Sequence, residues 1–116
     1  MKQNILKNNN QQILQIISDK IEISNLQDTL DLIANAHYLE IDNILINEEQ
    51  LNPKFFDLSC GLAGDILQKL ANYRMKIAIV GNFQKYKSKS LEALILECNR
   101  KGQVFFMPDI ETAIKN

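Results

Sequence analysis

Apolar and polar positions alternate in blocks along this chain, and the blocks predict strands and helices in turn. Two short apolar runs flank the polar stretch at 8–12, which reads Asn-Asn-Asn-Gln-Gln. Because asparagine tolerates positive φ and bonds its own backbone, this stretch predicts a hairpin turn between strands at about 3–7 and 12–17. Later apolar runs predict strands at about 43–46, 76–81 and 104–107. The run at 77–80 is typical of a strand buried on both faces.

The first predicted helix begins at a capping box formed by Ser24 and Gln27. Its apolar face repeats at helical spacing and consists of Leu26, Leu30, Ile33, Ala34 and His37. A long irregular stretch at 47–59 follows the next strand and contains Pro53. Ordered loops of this length are often functional. We expect its large side chains to hold it on the core, namely Leu51, Phe55 and Phe56.

Three further helices are predicted after this loop. The second helix, at 60–73, has an apolar face of Leu62, Ile66, Leu70 and Tyr73. Gly61 and Gly64 share one side of it, which favours close approach by a neighbouring backbone. Ser88 is the predicted cap of the third helix and Gly102 its left-handed end, with an apolar face of Leu91, Leu94, Ile95 and Cys98. Asp109 is the predicted cap of a short closing helix.

The resulting order ββαβαβαβα predicts an α/β fold. Strands that alternate with helices imply right-handed crossovers and parallel pairing. We therefore expect a mixed, mostly parallel sheet with an N-terminal β-hairpin and about four helices. The length of 116 residues is typical of one domain, so residues 1–116 are expected to share one core.

Charge and composition exclude several function classes. Thirteen basic and fourteen acidic residues leave a net charge of −1, which gives no electrostatic attraction to nucleic acid or to an anionic membrane. A nucleic-acid surface would need a local basic patch, and the candidates are Arg74, Lys76, Lys85, Lys87 and Lys89. Nucleic-acid binding is therefore the last of the readings.

Cysteine usage and hydropathy indicate a cytoplasmic protein. Cys60 and Cys98, with His37 as the only histidine, cannot form a four-ligand zinc site. Two thiols in a chain of this size are typical of the reducing cytosol. No signal-peptide pattern is present at the start, and the longest apolar run is too short to span a bilayer. We expect no metal, no cofactor and no membrane association.

Candidate binding residues collect where parallel strands end, because ligands of open α/β sheets bind at that edge. Two predicted helices begin there, near Ser59 and near Ser88, and a helix N-terminus attracts anions. The predicted binding edge consists of Asp57, Ser59, Cys60, Gly61, Gly64, Asn82, Lys85, Tyr86 and Ser88.

Three sites of possible catalysis each have a structural alternative. Cys60 in the first turn of a helix would be an activated thiolate or a small buried filler. Glu48 and Glu49 would be an acid/base pair or two carboxylates that diverge into solvent. His37 would be a catalytic base or a partly buried imidazole at the end of an apolar face.

Several segments resemble an uncharacterised bacterial family, the domain of unknown function 4180. They cover almost the whole chain: DTLDLIANA at 28–36, NPKFFDLSCGLAGDILQKLANY at 52–73, KIAIVG at 76–81, SKSL at 88–91, ECNRKGQVFF at 97–106 and DIETAI at 109–114. The string FFDL…GLAG…LQK…NYR is specific. The resemblance implies no known function.

The element order also resembles the STAS domain of sulphate transporters and anti-sigma-factor antagonists. In that family a short Asp-Ser-Ser-Gly-Leu-Gly-like motif starts a helix, and residues 56–63 (FDLSCGLA) occupy that place. STAS domains bind partner proteins, and some are switched by phosphorylation of the serine before the glycine. Here Cys60 stands before Gly61, and Ser59 is one position early. Phosphorylation at Ser59 is nevertheless electrostatically compatible with a helix N-terminus.

The STAS resemblance implies a regulatory module without catalytic activity that binds a protein partner. Exposed edge strands are compatible with a homodimer. The alternative is a small-molecule or anion binder, conceivably an enzyme, that uses the two helix N-termini with Cys60 or Glu48.

Overall fold

The computed structural model describes residues 2–8 and 11–115. The strands are β1 (Lys2–Asn8), β2 (Gln11–Ile17), β3 (Asn43–Asn47), β4 (Lys76–Val80) and β5 (Val104–Met107). The helices are α1 (Leu26–Tyr38), α2 (Leu62–Asn72), α3 (Lys89–Lys101) and α4 (Ile110–Lys115). This is the predicted order ββαβαβαβα. Residues 9 and 10 of the predicted hairpin turn lie outside the described residues.

The strands form one mixed sheet in the order β1-β2-β3-β4-β5. β1 and β2 pair antiparallel, whereas β2, β3, β4 and β5 pair parallel to one another. The α/β class and the mostly parallel sheet are therefore confirmed. Since β2 to β5 point the same way, their carboxyl ends lie at one edge, which we call the carboxyl edge.

The main core lies between one face of the sheet and helices α1, α2 and α3. Each crossover advances by one strand in the same direction, and crossovers between parallel strands are right-handed as a rule, so the three helices cover the same face and share one core with it. The side chains that the sheet buries there are Leu14, Ile16, Ile44, Ile46, Ile77, Ile79, Val104 and Phe106. The short helix α4 packs on β4 and β5 from the opposite face, where Ala113 and Ile114 lie near Phe105.

The start of α1 differs from the prediction by one residue. Asn25 is the N-cap, and its side chain accepts a hydrogen bond from the Asp28 amide at 2.9 Å. The Asp28 carboxylate accepts in return from the Ser24 amide at 2.9 Å. The predicted box of Ser24 and Gln27 is therefore wrong, because asparagine caps as well as serine and Asp28 lies three residues beyond it.

The buried stripe of α1 was predicted only in part: Ile33 is buried as expected, and Leu26 and Leu30 are half-buried. The helix buries Thr29, Leu32, Ile33 and Ala36. Ala34 and His37 are exposed instead, so His37 is not the partly buried imidazole that its spacing predicts. Thr29 falls on the buried stripe because its methyl can pack there while its hydroxyl bonds the Asn25 carbonyl at 3.4 Å.

Helix α2 is shorter than predicted. It begins at Leu62, because Gly61 has a left-handed φ of +85° and separates the helix from a 3₁₀ turn at Leu58–Cys60. A Cβ at Gly61 or Gly64 would meet no atom within 4 Å, so the predicted close approach of another backbone is wrong. The glycine at 61 is explained by its φ instead.

The later elements agree with the sequence more closely. Ser88 caps α3 by accepting from the Leu91 amide at 3.2 Å, and Gly102 ends that helix at a φ of +78°. Asp109 accepts from the Thr112 amide at 2.7 Å and so caps α4 as predicted. β4 buries Ile77 and Ile79 against the main core. The side chains on its other face are only partly buried, so the predicted burial on both faces is incomplete. Within the described residues, no helix is long and apolar enough to cross a membrane.

Candidate functional site

Two loops meet at the carboxyl edge and form the candidate site. The first, loop 48–60, leaves β3 and leads to α2, and the second, loop 81–88, leaves β4 and leads to α3. Both helices therefore begin at the same edge of the sheet, as the sequence predicts.

Loop 48–60 is ordered by its own turns and by burial. It contains three 3₁₀ turns, at Glu48–Gln50, Pro53–Phe56 and Leu58–Cys60. Leu51, Phe55 and Phe56 are each at most 5% exposed, which confirms that they hold the loop on the core.

Gln50 fastens this loop to the neighbouring strand β2. Its side chain is 1% exposed, and its Nε2 donates to the carbonyls of Ile16 at 3.1 Å and Ser18 at 3.0 Å. Its Oε1 accepts from the Asn47 amide at 2.9 Å. One buried amide thus satisfies backbone groups at the ends of β2 and β3.

The Glu48 side chain connects loop 48–60 to loop 81–88 through hydrogen bonds and an ion pair. Its carboxylate, 4% exposed, accepts a hydrogen bond from the Tyr86 hydroxyl and another from the backbone amide of Asn82 at 3.2 Å. Lys85 Nζ lies 2.8 Å from Glu48 Oε2 and compensates its charge. Buried carboxylates persist where they are paired and hydrogen-bonded, so these contacts give Glu48 a structural role.

Gly81 makes room for this carboxylate. A Cβ added at position 81 would lie 2.6 Å from the Cβ of Glu48, closer than side chains approach one another. Glycine is therefore required here by the approach of Glu48 to the end of β4.

Tyr86 completes the connection between the two loops. Its ring stacks on Phe56 with the ring centroids 4.6 Å apart, and Lys85 Nζ lies 5.4 Å from the Tyr86 centroid. Burial raises the pKa of the Tyr86 hydroxyl, and so do its hydrogen bond to Glu48 and the negative charges of Glu48 and Glu49. The hydroxyl is thereby held as a proton donor.

The predicted pair Glu48 and Glu49 diverges. Glu48 is buried in the cluster above, and Glu49 is exposed. The two carboxylates therefore point apart and do not form an acid/base pair. The expectation that both lie in solvent is wrong for one of them, because Glu48 points inward.

Ser59 and Asp57 form a local turn at the edge. Asp57 Oδ1 accepts from the Ser59 hydroxyl at 2.6 Å and from the Ser59 amide at 3.2 Å. Cys60 is exposed, and its amide donates to the Asp57 carbonyl at 3.0 Å. Because α2 begins at Leu62, Cys60 precedes the helix and is neither in its first turn nor a buried filler.

His37 and two of the five basic residues lie at the edge of the sheet where the parallel strands begin, opposite the carboxyl edge. His37 is at the end of α1 and contacts Tyr73 at the end of α2, with ring centroids 6.1 Å apart. Because those helices run back toward the starts of the strands, His37 is not a base for Cys60. Arg74 and Lys76 also lie there, at the start of β4, whereas lysines 85, 87 and 89 follow its end. The five basic residues therefore do not form one patch.

An apolar groove beside loop 81–88 was missed by the sequence analysis. It has a volume of about 610 Å³ and lies between that loop, the end of β5 and one flank of α3. Its apolar lining is Phe83, Ile95, Leu96, Phe106, Met107 and Pro108, and its polar lining includes Asn82, Gln84 and Glu92. Leu96 is 71% exposed. Leu96 could have indicated this groove, because it is a leucine of α3 that falls outside the apolar face of Leu91, Leu94, Ile95 and Cys98.

Within residues 2–8 and 11–115, no three histidine, cysteine, aspartate or glutamate side chains are grouped to hold a metal ion.

Of the predicted edge residues, Asn82, Lys85 and Tyr86 are brought together around Glu48. Asp57, Ser59, Cys60 and Gly61 form the neighbouring turn, and Phe56 joins the two groups through its stack on Tyr86.

Comparison with known proteins identifies a family and nothing further. The family model described as "Domain of unknown function (DUF4180)" matches residues 8–116, so the resemblance to that family is confirmed. No curated protein and no solved structure matches the chain.

Proposed function

The chain belongs to the DUF4180 family of unknown function, and we propose that it is a STAS-like regulatory module that binds a protein partner at its carboxyl edge. The binding surface consists of the groove beside loop 81–88 together with that loop and the turn at 57–61. The element order and the position of FDLSCGLA before α2 support the STAS-like assignment.

The observation that carries this proposal is the open apolar groove. Its walls include exposed Asn82, Gln84 and Pro108 as well as Leu96, so a partner can enter from the side. Aromatic and methionine side chains with few charges are typical of the centre of a protein interface. Phe83, Phe106 and Met107 supply such a lining, and of the described residues around the groove only Glu92 is charged.

The polar cluster supports a binding role more than a catalytic one. The Glu48 carboxylate already accepts from Tyr86 and Asn82 and pairs with Lys85. A catalytic carboxylate would have to release one of these partners to reach a substrate proton. We infer a non-enzymatic module of the cytoplasm that needs no cofactor, in which Glu48 holds the two loops in register.

Phosphorylation of Ser59 stays a prediction with a defined consequence. The Ser59 hydroxyl donates to Asp57, so a phosphate there would break this bond and place two negative groups together. The turn at 57–61 would rearrange beside the start of α2. Phosphorylation would thus change the shape of the proposed surface.

Leu96→Lys is the variant that tests the groove. Leu96 is exposed, so a lysine there leaves the core intact but places a charge in the groove. We expect the variant to lose the partner that the wild-type protein captures from cell extract. Tyr38→Lys is the matched control, because Tyr38 is 86% exposed on α1, outside the groove lining. Wild-type bait that captures no partner at saturation, or equal capture by wild type and Leu96→Lys, contradicts the proposal.

Gly61→Asp and Lys85→Glu are poorer probes of the same surface. Gly61 has a φ of +85°, which strains any other residue, and Lys85 compensates the buried charge of Glu48. Either change alters the fold locally as well as the surface.

A small-molecule ligand is the second candidate, and the groove volume favours it. About 610 Å³ falls in the range of pockets that hold small ligands. Anion binding at the helix starts has less support, because Ser88 caps α3 and the carboxylates of Asp57 and Asp65 flank the start of α2. A thermal-shift screen of apolar metabolites tests this candidate, since a ligand specific to the folded state raises the Tm. A rise that Leu96→Lys abolishes supports it, and no rise contradicts it for those ligands.

A further inference from the structure

β1 is an edge strand of the sheet, and its outer side is unpaired among the described residues. β1 is the first strand in the sheet order, and among the described residues it pairs with β2 alone. It is seven residues long, KQNILKN, without proline. Alternate residues of such an edge present their amide and carbonyl groups outward, which makes it a template for another strand. Ile5, at its centre, is 44% exposed.

The register in which this strand can pair with itself is restricted. Outward-facing residues must oppose outward-facing residues, so antiparallel partners have position numbers with an even sum. Only a sum of ten pairs all seven residues. Ile5 then lies opposite Ile5 of the second copy, Gln3 opposite Lys7, and Lys2 opposite Asn8. No lysine opposes a lysine in this register, so like-charge repulsion between paired residues is avoided.

An acidic cleft lies next to one end of this strand. Gln3 pairs with buried Ile16, which places Gln3, Ile5 and Lys7 on the helix face of the sheet. Asn35 Nδ2 of α1 donates to Gln3 Oε1 at 2.6 Å. Between β1 and α1 is a cleft of about 400 Å³ lined by Gln3, Glu22, Asp28, Asp31, Leu32 and Asn35. Among the residues that the structure describes, this lining contains three carboxylates and no basic residue.

We propose that β1 pairs antiparallel with β1 of a second copy and that Lys7 of each copy faces the acidic cleft of the other. A two-fold axis that passes between the two opposed Ile5 residues, perpendicular to the sheet, keeps the helices of both copies on one side. Lys7 of the second copy then lies beside Gln3 on the helix face, next to Asp28 and Asp31. The two five-stranded sheets become one of ten strands. This proposal is independent of the groove.

A charge-reversal pair on the same strand tests the contact. Lys7 lies on the helix face and Lys2 on the opposite face, since their positions differ by an odd number. In analytical ultracentrifugation, we expect Lys7→Glu to raise the dimer Kd by about tenfold, because each dimer contains the contact twice. Lys2→Glu should change it far less, and Asp31→Lys should restore dimerisation of Lys7→Glu. A wild-type chain that is monomeric at every concentration, or equal effects of Lys2→Glu and Lys7→Glu, overturns the proposal.

Disulfide trapping tests the register itself. In a Cys60→Ser background, Ile5→Cys should form an interchain disulfide on oxidation, because directly opposed residues have Cα atoms at a bondable distance. Leu6→Cys should not, since Leu6 lies opposite Asn4. A dimer that forms without crosslinking at Ile5→Cys, or with equal crosslinking at Leu6→Cys, rules out this register. At concentrations near the wild-type Kd, adding Lys7→Glu should lower the crosslinked fraction of Ile5→Cys.

Discussion

At the scale of single residues, Glu48 and Gly81 depend on each other. The carboxylate of Glu48 reaches its three partners only because position 81 carries no side chain. The sequence shows Glu48 beside Glu49 after a strand and Gly81 at the end of the next strand, but it does not show which glutamate turns inward. That choice is made by Tyr86 and Lys85, which lie nearly forty positions away and reach Glu48 only through parallel pairing of β3 with β4.

Glu48→Ala should destabilise the protein by about 2 kcal/mol. The change leaves the Tyr86 hydroxyl and the Asn82 amide without their acceptor in a partly buried place. Urea unfolding measures the loss. The matched control is Glu49→Ala, an exposed neighbour that should stay within about 0.5 kcal/mol of wild type. Equal stabilities of the two variants would show that the buried network contributes nothing.

Gly81→Ala and Gly64→Ala should have opposite effects on the free energy of unfolding. The added methyl at position 81 clashes with Glu48 and should cost about 1–3 kcal/mol. The same methyl at position 64 meets no atom within 4 Å, and alanine favours the helix by up to about 1 kcal/mol. Thermal unfolding of both variants checks the signs. A neutral Gly81→Ala would mean that Glu48 is not seated against β4.

The pH dependence of stability should report the Tyr86 contact. Burial and Glu48 raise the pKa of Tyr86, so the folded protein holds this proton more tightly than the unfolded chain. The contribution is complete below about pH 10, the pKa of an unfolded tyrosine, and is lost as the pH rises above it. The free energy of unfolding of wild type should therefore fall more steeply above about pH 10 than that of Tyr86→Phe. Tyr38→Phe, at an exposed site, should follow the wild-type slope; matching slopes for wild type and Tyr86→Phe would refute the contact.

At the scale of elements, the sequence determined the order of strands and helices better than their ends. The cap at Ser88, the αL end at Gly102 and the cap at Asp109 were predicted because each motif had one good candidate. At the start of α1, Ser24 and Asn25 are equally good caps, and the better acidic partner, Asp28, selected Asn25. The sequence does not show the full buried stripe of α1, because a threonine is usually assigned to the polar face of a helix. Thr29 is only 1% exposed and packs on the core.

Loop 48–60 is an element whose anchoring could be foreseen only in part. Its apolar anchors were predicted, since large aromatic residues in a loop usually pack on the core. Gln50 was not, because a buried glutamine requires backbone groups that the local sequence does not contain. Its partners at Ile16 and Ser18 belong to β2, more than thirty positions earlier.

Gln50→Ala should therefore loosen the whole loop and not only one site. Loss of this side chain removes the hydrogen bonds that Gln50 donates to the Ile16 and Ser18 carbonyls and should cost about 2 kcal/mol. Hydrogen exchange should accelerate at amides of 47–52. Gln68→Ala, an exposed glutamine on α2, is the matched control and should change neither quantity. Unchanged exchange in Gln50→Ala would show that the loop is held by its apolar residues alone.

At the scale of the molecule, topology explains why the candidate site exists. Four parallel strands end at one edge, so two loops that are distant in sequence lie side by side there. Glu48 and the stack of Phe56 on Tyr86 join them, and Phe83 carries the joined surface toward the groove. The sequence predicts the edge because strand direction follows from element order. It does not predict the groove, whose walls come from α3 and β5 and depend on how the helix sits against the sheet.

We propose that a partner protein binds across this joined surface. The most direct measurement is the change in backbone amide chemical shifts of the isotope-labelled chain when the captured partner is added. We expect changes at 57–61, 81–88 and 92–96, with α1 unchanged, and we expect these changes to be lost in Leu96→Lys. Changes centred on α1 or on the opposite edge of the sheet, with residues 81–96 unaffected, would contradict it.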